Sequence, residues 1–366
     1  MSQGRWLSLS RDEKPHIILQ NYLMKAYESL GKNNNLNDRC LVYHEIAEFC
    51  DNQLSDPGNQ QDFDDQKLLR DNKKEDMDHL AHLIETESSG NTKQAKELKS
   101  AYSKARNVYE SDRDEADRIS QQRRLFLHLA VKNYLRSISV LDKYKQDVYR
   151  LTSLWLGNSD NEVTNETIRK GSASCPTWVF VKLFSQLFPR LENTSSSFQA
   201  SLSHLLSRAS TDHPHHSILH IYPLLHEAEK GKDQQENSRA AAVKKLVSSI
   251  GSNHHFARLY NGTTKVCETY NSLASFQISR KTVGVEEIKL SRYPRSASFI
   301  NEIPRLRVPS LTQSLAARKD CDYSNVPSVV EYEPTLQIAG GISGPKIIKC
   351  KTSDGALHRQ LVSGLP

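Results

Sequence analysis

The chain has 366 residues, 37% of them hydrophobic, a net charge of +6 and a mean hydropathy of −0.62. That length allows two domains or one extended repeat structure, and so polar a composition is low for one compact globule; it suits an elongated helical assembly or a piece of something larger. The 49 basic residues are spread among 43 acidic ones, the pattern of solvated helix faces rather than of a nucleic-acid footprint. No apolar run approaches the length of a membrane helix. No signal peptide is read at the start, where Arg5-Trp6-Leu7 leads straight into Ser10-Arg11-Asp12-Glu13-Lys14. The six cysteines are scattered without a C-x-x-C pair, which argues for reduced thiols in cytosol or nucleus rather than a disulfide frame or a zinc site. Sequons at Asn165, Asn193 and Asn261 are read as chance matches.

The first helix is marked by Leu19, Leu23, Ala26, Tyr27 and Leu30, at i, i+4, i+7, i+8 and i+11, with Gly31 placed to end it. After a polar turn, Val42, Ile46, Phe49, Cys50 and Leu54 form a second stripe, stopped by Pro57-Gly58. Two such helices joined by a short turn make an αα-hairpin, the unit of helical solenoids. Residues 59–124 are charged and sparse in apolar residues, which predicts long helices with one narrow packing edge each, interrupted near Ser88-Ser89-Gly90-Asn91. Beyond them Leu127, Val131, Tyr134, Leu135 and Ile138 form one dense stripe, and Val148, Leu151, Leu154 and Trp155 another. A loop over 157–174 is expected to lead to a helix carrying Phe180, Leu183, Phe184 and Leu187. Further helices are expected near 197–209, 213–229, 236–250 and 259–277. Pro294, Pro304 and Pro309, set among basic residues, predict an extended connector. From Val326 the period is that of strands: Leu336 to Cys350 reads as strand, glycine loop, strand, then Ser353-Asp354-Gly355 as a tight turn and Leu357 to Val362 as a returning strand.

Two constellations invite a chemical reading. In Asp212-His213-Pro214-His215-His216, followed by His220 and His226, the four-residue spacing of His216 and His220 could turn both imidazoles one way toward a metal. Against this, Asp212 suits a helix N-cap, Pro214 suits a first helical turn, and no Asp, Glu or Cys stands at a third-ligand spacing. The cluster is therefore read as structural and no metal is expected. His128 reads as a packed or edge histidine rather than a base. The Ser-Gln and Thr-Gln pairs at Ser120, Ser185 and Thr312 resemble sites for glutamine-directed kinases, but dipeptides that short arise by chance, and Ser185 falls in a helix expected to be buried. The glycine loop is the sharper candidate. Gly340, Gly341 and Gly344 remove side chains where backbone amides could approach a triphosphate, and Lys346 would bring positive charge to the same rim. The spacing lacks the G-x-G-x-x-G of ordinary protein kinases, and a plain hairpin loop explains it about as well. The returning strand Arg359-Gln360-Leu361-Val362 strengthens the reading, because a phosphate-binding lysine belongs on such a third strand.

The run from Leu336 to Val362, with Ala339-Gly340-Gly341, Pro345-Lys346-Ile347-Ile348, Ser353-Asp354-Gly355 and Arg359-Gln360-Leu361-Val362, resembles the start of an ATM-type kinase domain, of the phosphatidylinositol-kinase-related protein kinases. The helical part agrees: Asp212-His213-Pro214-His215-His216 resembles the family's D-H-P-H-H, Leu154-Trp155-Leu156-Gly157-Asn158-Ser159 its L-W-L-x-N-S, and Ala130-Val131-Lys132-Asn133-Tyr134 its A-V-x-N-Y. The first helix, Leu19-Gln20-Asn21-Tyr22-Leu23-Met24-Lys25-Ala26, resembles the corresponding FAT helix. The likeness runs nearly from end to end and is specific to the ATM branch and its fungal telomere-maintenance relatives. It implies a mainly α fold: a FAT-type solenoid of αα-hairpins over 1–280, a connector over 281–310, and a short, incomplete, β-rich start of a kinase N-lobe over 311–366. It implies a serine/threonine-protein kinase acting at Ser/Thr-Gln sites in DNA-damage signalling, DNA repair and telomere maintenance, in the nucleus. Gly340, Gly341, Ser343, Gly344 and Lys346 would then be the candidate ATP contacts. In the complete family member the cofactors are ATP and Mg²⁺. Its partners are the rest of the kinase domain, the FATC region, a second copy of the protein and proteins of DNA-damage signalling; no membrane and no direct nucleic-acid site is implied. After Val362 the family continues with a lysine and a D-L-R-Q-D stretch, where this chain has Ser363-Gly364-Leu365-Pro366. The catalytic loop and metal-binding segment are absent as well, so the chain alone is expected to bind ATP negligibly and to be catalytically inactive, with no catalytic residue or metal ligand of its own. The alternative is a stand-alone helical-repeat interaction protein that regulates the full-length kinase or its partners.

Overall fold

The computed structural model describes residues 4, 6–7, 10, 12–30, 35–87, 93–228, 234–276, 287–339 and 344–363. By contact the chain divides into two units, Met1–Cys175 and Pro176–Pro366. The division falls after Cys175 rather than near 281–310, so the later helices belong with the sheet.

In the first unit, α1 is continuous through Pro15–Ile18, a π turn at Leu19–Leu23 and Met24–Ser29. Helix α2, Leu36–Ser55, starts on Asn35, whose side chain accepts the Asn37 N–H. Leu19 and Leu23 of α1 share a core with Val42, Ile46, Phe49 and Cys50 of α2. Helix α2 stops just before Pro57 as expected, and Pro57 also opens α3, Pro57–Glu87, because a proline in the first turn has no N–H to lose. The expected break at 88–91 lies outside the described residues. Helix α4, Lys93–Val140, then joins the charged stretch and the dense apolar stripe into one rod of 48 residues, about 72 Å long at 1.5 Å per residue. Near the start of α3, Phe63 lies under the Arg123 guanidinium of α4 (4.8 Å to the ring centroid), and Gln60 Oε1 accepts from Arg123 at 2.6 Å. The two helices are therefore antiparallel. Helices α5, Asp147–Gly157, and α6, Glu162–Ser172, pack on the apolar half of α4. The loop expected over 157–174 is thus largely helix, and Asn161 caps it by accepting the Thr164 N–H at 3.0 Å.

The second unit opens with tight turns rather than the single helix expected: 3₁₀ turns at Thr177–Leu183 and Phe188–Arg190 flank the short α7, Phe184–Leu187. Helices α8, Ser197–Asp212, α9, Pro214–Ala228, α10, Gln234–Ile250, and α11, His254–Ser275, lie within a few residues of their expected spans. Ser196 and Asn253 cap α8 and α11. The segment expected as an extended connector is folded over 287–310. Strand β1, Ile288–Lys289, enters the sheet, and a π turn at Ser298–Glu302 runs into α12, Ile303–Leu306. Tyr293, Phe299, Ile303 and Val308 are buried there, apolar residues that the prolines of this stretch masked in the sequence.

Strands β2, Val329–Ile338, β3, Lys346–Thr352, and β4, Leu357–Val362, complete an antiparallel sheet in the order β1-β2-β3-β4. Tyr332, Leu336, Ile348, Cys350, Gln360 and Val362 are buried on one face, while Val330, Leu357 and Leu361 are exposed. Between the pairs Tyr332↔Cys350 and Leu336↔Ile348, β2 advances four residues against two on β3. That bulge contains Pro334, which has no N–H to give to a ladder. The turn from β3 to β4 closes as expected: Gly355 takes a φ of +85°, its N–H bonds to the Thr352 carbonyl, and Asp354 accepts from Thr352 Oγ1 and the Ala356 N–H.

Candidate functional site

Of the five residues expected at the nucleotide loop, Gly340, Gly341 and Ser343 lie outside the described residues. The hairpin arms on either side are paired up to the loop, with Ile338 opposite Lys346 and the Ala339 N–H on the Pro345 carbonyl at 2.7 Å. Gly344 has a φ of +51°, a conformation that favours glycine. Lys346 departs from expectation. It is 4% exposed, and its ammonium donates to the Ala274 carbonyl at 2.8 Å instead of standing on the loop's rim. Burial lowers its pKa. Ala274 lies in the last turn of α11, where unpaired carbonyls and the helix dipole favour a cation. The strand period, which puts Lys346 on the face of Ile348 and Cys350, was the available clue.

Helix α11 supports the sheet through a second, buried polar cluster. The Tyr332 and Tyr270 hydroxyls are 3.0 Å apart, Tyr270 donates to Gln360 Oε1, and Gln360 Nε2 donates to Ser310 Oγ. Since the Tyr270 proton goes to Gln360, the Tyr332 hydroxyl is the donor between the two tyrosines. Burial, first of all, raises both phenols above their ordinary range. The Phe299 ring stands 5.5 Å from Tyr270 and 5.1 Å from Tyr332, in edge contacts. Gly262 lets Val308 approach α11: a Cβ there would sit 2.6 Å from Val308 Cγ1. Gln360, a polar residue on the buried face of β4, was the sequence's sign that this face meets a polar partner.

The histidine cluster is a strap. Asp212 ends α8 rather than capping α9; the capping position is taken by His213, whose carbonyl accepts the His216 and Ser217 N–H groups. His213 is fully buried in a directed chain. The Arg318 N–H donates to the Tyr323 hydroxyl, which donates to His213 Nδ1; His213 Nε2–H donates to Thr177 Oγ1, which donates to Asp212. Thr177 has one hydroxyl proton and Asp212 takes it, so His213 is the neutral Nε2–H tautomer. Burial holds His213 and His215 down at about 4 and lowers His216 and His220. His216 turns to the Leu315 carbonyl at 3.1 Å and His220 stacks on Phe188, so the pair does not converge. Among the described residues no group of three His, Cys, Asp or Glu side chains could hold a metal ion. The motif fastens the 315–323 segment to the α8–α9 corner.

The motifs of the first unit are likewise absorbed into packing. Trp155 is buried with its indole N–H on Asn165 Oδ1 at 2.9 Å, and Asn165, a sequon residue, is fully buried. His128 is half-buried beside Thr167, 3.4 Å away. Asp51 accepts from Arg150, bidentate at 2.8 and 2.7 Å, and from Tyr134 at 3.0 Å. Asp147 accepts from Ser137 at 2.7 Å and from His44 at 2.9 Å. Sequence periodicity gave no sign of either carboxylate junction. Ser185, expected to be buried, is exposed.

No family model matches the chain. Over 364 residues it is 32% identical to the serine/threonine-protein kinase tel1 of Emericella nidulans, a match taking in 100% of this chain and 13% of that protein. It is 26% identical over 394 residues to the serine-protein kinase ATM of Sus scrofa, covering 99% of this chain and 12% of that one. Among solved structures it superposes on the open conformation of CtTel1 with a TM-score of 0.87 at 29% identity, covering 99% of this chain and 13% of that one. The FAT and kinase domain of CtTel1 gives 0.85 at 28% identity, covering 99% and 24%. The complete CtTel1 dimer with C2 symmetry gives the same score and identity, covering 99% and 13%. Likeness along the whole of this chain to a part of such kinases does not favour the alternative of a stand-alone interaction protein. The chain belongs to the ATM-type family of serine/threonine-protein kinases, and it matches a portion of their FAT and kinase regions.

Proposed function

We propose that this chain is the joint at which an ATM-type kinase's FAT helices set the position of its nucleotide loop. The observation that carries this reading is the seating of the hairpin on α11, through Lys346 on the Ala274 carbonyl and through Tyr270 on Tyr332 and Gln360. A loop whose backbone amides must meet phosphates needs a rigid support, because a displacement of about 1 Å can cost two orders of magnitude in rate. On this reading Gly340, Gly341, Ser343 and Gly344 face ATP, while Lys346 positions the strand that follows. The phosphate-pairing lysine, the Mg²⁺ ligands and the base for the hydroxyl nucleophile belong to other parts of the kinase domain. The activity served is phosphorylation of Ser/Thr-Gln sites in DNA-damage signalling and telomere maintenance, in the nucleus and within a homodimer; the relatives named tel1 and ATM and the dimeric CtTel1 support this. The test is a chimera in which the matching region of the Emericella nidulans kinase is replaced by this chain. It should retain ATP- and Mg²⁺-dependent phosphorylation of a Ser-Gln peptide and lose most of it with Tyr270→Ala. Full activity of the Tyr270→Ala chimera would refute the supporting role of α11.

A further inference from the structure

The first unit contains a groove of 970 Å³ walled by α1, α2, α4 and α6. Its floor is aromatic and aliphatic, from Tyr27, Tyr43, Leu135 and Val140. Arg136 is fixed over that floor. Its guanidinium carbon stands 5.5 Å from the Tyr27 ring and 5.6 Å from the Tyr43 ring, and Nη1 donates to the Tyr27 hydroxyl at 2.9 Å. Arg39 and Lys132 are half-buried on the same walls, and neither is paired with a carboxylate among the described residues. The positive field is felt by His128, whose pKa is lowered by burial and then by Lys132 and Arg136. On the opposite wall Glu166 is already bridged by Arg169 at 2.7 Å and Lys170 at 3.1 Å, and Val163 is 63% exposed.

We propose that this groove docks an acidic amphipathic peptide segment of a partner protein, its carboxylates on Arg39, Lys132 and Arg136 and its apolar side chains on Tyr27, Tyr43 and Val163. Lys132 and Arg136 stand one turn apart on one face of α4, the spacing that meets acidic residues at i and i+4 of a bound helix. Partly desolvated cations such as Arg39 and Lys132, which have no carboxylate partner among the described residues, select a negative occupant. The apolar floor selects one that also carries side chains, and the exposed Glu162 at the rim opposes a continuous polyanion such as nucleic acid.

The test is fluorescence anisotropy on the full chain with a labelled synthetic helix-forming peptide carrying Asp and Glu on one face and Leu and Phe on the other. Saturable binding that weakens with salt is expected, with a loss of about tenfold or more in Lys132→Glu and in Arg39→Glu. Val163→Asp should weaken it too, while Lys104→Glu, an exposed reversal elsewhere on α4, should leave it unchanged. Circular dichroism identifies any variant that fails to fold, and Arg39 and Lys132 on separate helices give two independent reversals. Absence of binding, or binding indifferent to both reversals, overturns the proposal. So does a single-stranded oligonucleotide that competes as well as the peptide, which would assign the groove to a polyanion, and so does equal binding by a peptide whose Leu and Phe are replaced by Ser.

Discussion

Lys346→Met distinguishes a strut from a phosphate contact. The substitution keeps an unbranched stem in a site that is 4% exposed and removes only the ammonium from the Ala274 carbonyl, 2.8 Å away. A hydrogen bond from a charged donor contributes about 1.5–3 kcal/mol, and a cation at a helix C-terminus adds about 0.3–1 kcal/mol. Opposing both is the desolvation of the ammonium, seen in its lowered pKa, which methionine does not incur. A net loss of about 1.5 kcal/mol is expected, close to tenfold in a local opening equilibrium. Because the chain has two units, a single global unfolding free energy is not well defined. Native-state hydrogen exchange read on peptides spanning 266–276 and 346–352 measures the effect where it arises, with peptides of the first unit as the reference. Protection should fall by about tenfold in both segments together. Unchanged protection in both would refute the strut and return the ammonium to the loop's rim.

Other perturbations follow from the same structure. An unfolded chain titrates its histidines near 6.5, but burial keeps His213 and His215 neutral down to about 4 and lowers His216 and His220. The unfolded state therefore binds more protons as pH falls, and the second unit should lose stability from pH 6.5 to about 4 and level off below. A flat profile of exchange protection over 213–226 in that window would contradict the buried assignment. His44 in the first unit has the opposite sign: burial pulls its imidazole down, but the bond to Asp147 together with the negative charges of Asp147, Glu48 and Glu45 outweighs it, and its pKa is raised. Its contribution is present below pH 6.5 and is lost as pH rises through the raised pKa, so protection over 40–50 should decline as pH is raised above 6.5. Gly262→Ala drives a methyl to 2.6 Å from Val308 Cγ1 and should cost about 1–3 kcal/mol in thermal stability of the second unit; Val308→Ala added to it should recover part of the loss. Arg150→Met leaves Asp51 buried with Tyr134 and Ser55 as partners. Breaking a buried pair costs about 3–5 kcal/mol, and with Arg150 half-exposed and two partners remaining, about 2 kcal/mol is expected in hydrogen-exchange protection of the first unit. Asp51→Asn in that background should restore some of it.

The sequence by itself determined most of the long helices, the turn from β3 to β4 and which family the chain resembles, but not the helix over Glu162–Ser172 or the turns over 177–190. Stripes such as Val42, Ile46, Phe49 and Cys50, and the turn Ser353-Asp354-Gly355, are local patterns, and each reflects a periodicity or a backbone preference that acts within a few residues. Capping chemistry was legible only in part. Asn161 was available as a sign of α6, whereas Pro57 and Asp212 each suited either the end of one helix or the start of the next. Only the tertiary structure decided what the polar residues do. Lys346 carries the same charge on a loop rim or under a sheet, and the Ala274 carbonyl that captures it lies 72 residues away. Tyr270 and Gln360 are 90 residues apart, as His213 and Tyr323 are 110, so no local pattern couples them. A polar group's partner is set by which elements come together when apolar surface is buried. Periodicity records that burial face by face, and the hydrogen-bond partner is recorded only in the assembled fold.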